Sequence, residues 1–192
     1  MSMSANTQPI AMVEEDEATG EVAEMYEVIK REMQMPTVPN MMKTLATSPA
    51  ALAMHWGAAQ MYFAHMSIPL SLFAMIGYSV AEYSNCEYCS ANNELMCLTL
   101  GIDEKTLAQV AQDLGNVNPQ RVRAIIQFAL KVAHEPLAMT HEDFDKVRAH
   151  GVSDEDIVEI ILVAAHSVAA DIMADALKVP VETAVYEALG RS

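Results

Sequence analysis

"SNCEYCSANNELMC", residues 84–97, holds all three cysteines of a 192-residue chain, two of them spaced as Cys86-x-x-Cys89. Ser84 and Glu87 fit a capping box, in which a hydroxyl accepts from the backbone at the third helical residue and an acid reaches back. That predicts a helix with Cys86 in its first turn and Cys89 one turn later. Free N–H groups and the positive end of the helix dipole favour a thiolate there. Two cysteines three apart on a helix are neighbours and can close a disulfide with little backbone movement, the requirement of a two-electron dithiol couple. At about 100° per residue, Asn93 and Cys97 fall within roughly 20° of the direction of Cys86. Cys97 lies too far along the helix to join the pair and is read as buried filler. A structural zinc wants four ligands, commonly two such pairs or one pair with two histidines. The chain has one pair and no closely spaced histidines. No metal and no organic cofactor are therefore predicted.

Outward from this segment the pattern is helical. "GEVAEMYEVIKREM" (20–33) sets Val22, Met25, Tyr26, Ile29 and Met33 on one face. Pro36 and Pro39 break the chain before a short helix at 40–47. Ser48 and Pro49 open a helix to about His65, and "SIPL" opens one to about Tyr83. Gly101 ends the cysteine helix. Asp103 begins a helix to about Gln112, and 119–133 is helical. "THED" and "SDED" are two more helix starts with an acid three after the hydroxyl. The second begins a long apolar helix, 154–177, and Pro180 opens a last short one. No segment alternates with period two, so the fold class is all-α: an arm at 1–13, then a single domain at 14–192. The "EEDE" run at 14–17 reads as a solvated lead into the first helix. "AMIGYSVAEYS" and "ILVAAHSVAAD" echo one another, as two core helices built alike would.

Composition sets the class. The chain is 52% hydrophobic and 19% charged, with net charge -15, against about 25% charged in an average domain. This is more apolar surface than one small core requires, so a homo-oligomer is expected. The acidity argues against nucleic acid or an anionic membrane as partner. No signal or transit pattern and no run of about 18 uninterrupted apolar residues is present. A cytoplasmic address follows as an expectation, and there a close cysteine pair reads as redox-active or metal-binding rather than as a staple. The fifteen methionines read as adaptable core filling.

"VAEYSNCEYCSANN" (80–93), supported by "VPNMMKTLATSPAAL" (38–52) and "VEIILVAAHSVAADIMADALKVPVE" (158–182), resembles the carboxymuconolactone decarboxylase and alkylhydroperoxidase-D-like family, in its peroxidase-related branch. The resemblance implies a helical bundle assembled as trimers or hexamers. It implies Cys89 as the thiol that attacks a hydroperoxide or disulfide and Cys86 as the resolving thiol. It also implies re-reduction by a dithiol partner such as a lipoyl group on a carrier protein. The family's relay histidine falls at Asn93, with Asn92 beside it. Its relay glutamate falls at Ala74, and the histidine before the second cysteine at Tyr88. Asparagine can position a thiolate but cannot carry a proton. The nearest acid upstream is Glu82, four residues before Cys86, a candidate substitute. Two other readings remain open: a decarboxylase-like lyase, which would need more cations than 11 Lys plus Arg, and a redox sensor or scaffold without turnover.

Overall fold

The structure is a computed structural model that describes residues 8–191. Among the described residues there are ten α-helices and no strand: α1 (Gly20–Met33), α2 (Asn40–Leu45), α3 (Pro49–His65), α4 (Leu70–Ser84), α5 (Glu87–Thr99), α6 (Glu104–Gln112), α7 (Gln120–His134), α8 (His141–Arg148), α9 (Asp154–Leu177) and α10 (Thr183–Ala188). Local chemistry sets most of these bounds. Ser48 caps α3 by accepting from Ala51 N, with Pro49 in the first turn. Thr140 with Asp143, and Ser153 with Asp156, form the expected capping boxes of α8 and α9. Gly101 takes φ +83 just after α5, a conformation that suits a residue without Cβ.

α4 is the central helix. Its residues from Ala74 to Ala81 are all buried, because α5, α6, α7 and α9 pack around it. The two segments that echo each other in sequence thus lie on α4 and α9, two core helices in contact. Cys97 is fully buried in a cluster with Ala74, Met75, Tyr78 and Leu107, and burial pushes its thiol up to about 12. It is apolar filler.

Two expectations change in the structure. The first helix spans Gly20–Met33 as its pattern predicts, but the acidic run before it is not simply a solvated lead, because Glu14 and Glu15 are held by partners. Glu14 pairs with Lys43 at 2.9 Å, and Glu15 pairs with Lys30 at 3.1 Å while accepting from Val38 N. The expected arm falls, for residues 1–7, outside the described residues. Its end is tied down: Val13 N donates to Lys43 O, and Tyr26 Oη donates to Val13 O at 2.8 Å.

The second concerns α9. It is long and apolar enough to cross a bilayer by length and composition, with 24 residues and an 18-residue window of mean hydropathy 1.9, although charged and polar residues interrupt it. Its inward residues Ile157, Ile160, Val163, Ala164, Asp171 and Ala174 are buried in the bundle. Outward, Val158, Leu162 and Ile172 are 65%, 53% and 63% exposed, with Ala165, Ala169 and Ala176 between and beyond them also exposed. That 4-3-4-3-4 spacing leaves one apolar stripe exposed along a helix whose other face is core.

Candidate active site

Only Asn85 and Cys86 separate α4 from α5. Asn85 ends α4 in the left-handed region, φ 57 and ψ 34, which asparagine tolerates better than most residues. Ser84 is consequently the last residue of α4 and cannot cap α5. Cys86 occupies the N-cap, its N–H donating to Ala81 O at 3.0 Å. Glu87 turns outward and accepts from the Tyr186 hydroxyl. The expected Ser84–Glu87 capping box is therefore absent, yet the geometry it implied for the sulfurs is kept. The three cysteines are free. Cys86 and Cys89 lie on the first turn with their sulfurs close together.

A third group completes the cluster. One oxygen of Asp171, from α9, and the sulfurs of Cys86 and Cys89 lie within 4.8 Å of one another. All three residues are buried: Cys86 0%, Cys89 7% and Asp171 4% exposed. Neither carboxylate oxygen of Asp171 has a hydrogen bond. Burial holds its carboxyl above the ordinary range; the facing Cys89, Ser84 and Cys86 offset part of that, and Asp175, one turn on, adds to it. The Cys89 thiol is pushed far up, first by the Cys86 sulfur, then by burial and by Asp171. This reverses the expectation of a thiolate stabilised by the helix N-terminus. Near a second sulfur and a buried acid, the fixed partial charge of a helix end is the smaller effect. Cys89 rests as a thiol. Three donors are one fewer than a structural zinc takes, and among the described residues no further histidine, cysteine or acid joins the cluster.

Cys89 opens onto a pocket of about 200 Å³ lined by Met33, Met35, Met41, Met42, His55 and Tyr88, with Asn92 and Asn93 at one side. Cys86 does not line it. No charged side chain lines it either. The Asn93 amide donates to the Cys89 carbonyl at 2.8 Å and packs so closely on Gly77 that a Cβ there would stand 2.6 Å from its Oδ1. Asn93 thus fixes the turn that carries Cys89. Glu82 lies elsewhere, lining a separate cleft with Ser79, Tyr83 and Leu114. Ala74 is core.

Among the histidines, His134 stacks on Tyr83 at 3.8 Å, while His166 stacks on His55 at 5.6 Å. His55 is the one that lines the pocket, and burial beside His166 lowers it to about 4, a neutral imidazole at neutral pH. Sequence reasoning passed over both His55 and Asp171. Asp171 had a signal: it falls in register with the buried stripe of Ile160, Ala164 and Ala174, where an acid needs a reason.

With this geometry in hand, comparison with solved structures decides the fold. An uncharacterised peroxidase-related protein with an alkylhydroperoxidase AhpD core, from Ralstonia eutropha JMP134, matches with TM-score 0.84 and 20% identity, covering 95% of this chain and 96% of that one. The chain has the alkylhydroperoxidase-D-like fold. A peroxidase-related protein from Silicibacter sp. TM1040 matches at TM-score 0.82 and 19% identity over 96% of this chain and 98% of that one. The debrominase Bmp8, solved in complex with 2,3,4-tribromopyrrole, matches at TM-score 0.77 and 18% identity over 99% and 98%. No protein-family model and no curated protein sequence matches the chain.

Proposed function

We propose that the chain is a thiol-dependent oxidoreductase that reduces hydroperoxides through the Cys86–Cys89 pair. The observation that carries this is the pair itself: two free sulfurs side by side, of which Cys89 meets the pocket and Cys86 stands behind it. The Cys89 electron pair attacks the distal oxygen of ROOH and the O–O bond breaks, leaving Cys89–SOH and ROH. Cys86 then attacks the Cys89 sulfur, water leaves, and a disulfide remains. An external dithiol, of the lipoyl or dithiothreitol type, returns both thiols. A pocket without charge suits a small uncharged substrate and speaks against the lyase reading, which needs cations around a carboxylate.

The test is consumption of cumene hydroperoxide with dithiothreitol in excess. Wild type turns over and Cys89→Ser does not, while Cys86→Ser, pre-reduced and then freed of dithiol, consumes about one equivalent per chain and stalls as the sulfenic acid. Absence of turnover in wild type would leave the sensor or scaffold reading. The likeness to a debrominase favours one further arm. A bromopyrrole offered in place of peroxide would pass bromine to the Cys89 sulfur, the ring carbon would take a proton, and Cys86 would expel bromide as the disulfide forms.

The exposed α9 stripe supports a homo-oligomer, with trimers or hexamers as the expected sizes. Ile172→Asp would dissociate it in a light-scattering measurement of mass, whereas a monomeric wild type would end that expectation.

A further inference from the structure

We propose that Asp171, on α9, is the proton acceptor and donor of the Cys86–Cys89 pair. The inference rests on the thiol reading above and supplies the proton path that reading lacks.

Three observations carry it. The first is position: a carboxylate oxygen lies within 4.8 Å of both sulfurs, so one group reaches each thiol. The second is vacancy: Asp171 is 4% exposed and neither of its oxygens is hydrogen-bonded. A buried carboxylate without partners costs several kcal/mol in ordinary folding terms, and a leucine at 171 would continue the apolar stripe at no such cost. The third is separation: Cys89 lines the pocket, while Asp171 and Cys86 do not. The carboxyl therefore meets the thiols without occupying the space the substrate fills. The raised affinity of Asp171 for protons agrees with this role, since an acid with an ordinary pKa would be a poor acceptor from a thiol.

The proton balance is as follows. Asp171 takes the proton of Cys89 as its sulfur attacks, and the alkoxide released by O–O cleavage takes that proton back, giving ROH. Asp171 is again a carboxylate when Cys86 attacks the sulfenic acid. It accepts the Cys86 proton and returns it to the departing hydroxide, giving water.

The titratable groups that face Asp171 are Cys86 and Cys89 at the start of α5 and Asp175 on its own helix. Ser84 is the one neutral hydroxyl facing it. His55, which lines the pocket, is the rival acceptor.

The experiment is iodoacetamide alkylation of the reduced full chain across pH, without peroxide, with Cys89 modification followed by peptide mass spectrometry. Wild type and His55→Gln should show two inflections, belonging to the coupled thiol–carboxyl system. Asp171→Asn should show one. Asp171→Glu keeps a carboxyl and should keep two, which guards against a misfolded Asn variant. With cumene hydroperoxide near neutral pH, disulfide formation in Asp171→Asn should slow about 100-fold. An unchanged two-step profile in Asp171→Asn would overturn the proposal while leaving the peroxidase reading intact. Collapse of the profile in His55→Gln would transfer the role to that residue. A two-step profile in a wild type that never turns over peroxide would keep Asp171 as the thiols' partner and remove the peroxidase reading instead.

Discussion

Glu182 and Asp171 both reach the cysteine helix, one from the start of α10 and one from α9, and they are treated in opposite ways. Glu182 accepts from Asn40 N at 2.6 Å, from the Tyr88 hydroxyl at 3.1 Å and from the Asn92 amide at 3.3 Å. It binds the entry of α2, the first turn of α5 and the C-terminal segment together. Asp171 is more deeply buried and accepts nothing. A carboxylate whose oxygens are filled is scaffold; one left empty against two thiols is held ready for chemistry. The difference separates two residues that look equivalent as isolated acids in the sequence.

The contrast breaks most readily by exchanging the outcomes of two substitutions. Asp171→Asn should lower peroxide turnover about 100-fold, roughly 2.7 kcal/mol of barrier, while the urea midpoint stays at or above that of wild type. Glu182→Ala should do the reverse. Loss of three hydrogen bonds to a charged group costs about 2 kcal/mol of stability in urea unfolding, with the two-step thiol profile retained. If Glu182→Ala abolished the two-step profile, or Asp171→Asn unfolded the chain, the distinction would fail.

Acid–base linkage sharpens it further. The folded Asp171 carboxyl holds its proton above the ordinary value of 3.8. Its contribution to stability is therefore complete below that value and is lost as pH rises through the folded pKa. Measured against Asp171→Asn, wild type should lose stability as pH rises above about 4. His55 has the opposite sign. Lowered to about 4, it favours the folded state fully above the unfolded value of 6.5, and that contribution disappears as pH falls towards 4. His55→Gln should flatten the acid limb alone.

The smallest expected effect comes from Gly77→Ala. The new methyl meets Asn93 Oδ1 and should turn the amide from the Cys89 carbonyl. Overpacking and the lost hydrogen bond, against the helix preference of alanine, leave a net loss of about 1 kcal/mol. Turnover should change by less than about threefold.

Local rules made most of the helices legible. Ser48, Thr140 and Ser153 mark starts that depend only on the next few residues, and the structure keeps them. Where a residue's role depended on distant partners the sequence misled: Glu14 and Glu15 look like solvated charges until Lys43 and Lys30 claim them. The same limit explains the site. Cys86 and Cys89 declare themselves by spacing. Asp171 lies on another helix and gains meaning only when α9 packs against α4 and α5. Ser84 illustrates a subtler failure, since a hydroxyl three before an acid reads as a cap unless the preceding helix has already absorbed it. The peroxidase-like resemblance pointed to the fold that the solved structures share, but not to the buried acid that faces the sulfurs.

One turn of α9 faces two ways. Asp171 looks inward at the thiols, and Ile172, the next residue, stands on the exposed stripe. A rigid helix converts any rotation on one side into an equal rotation on the other, about 100° separating adjacent residues. Substitutions on the outer surface of this turn are consequently not silent decoration. Their burden is mechanical, and a change at Ile172 should be felt at the thiols although its own side chain points away from the bundle.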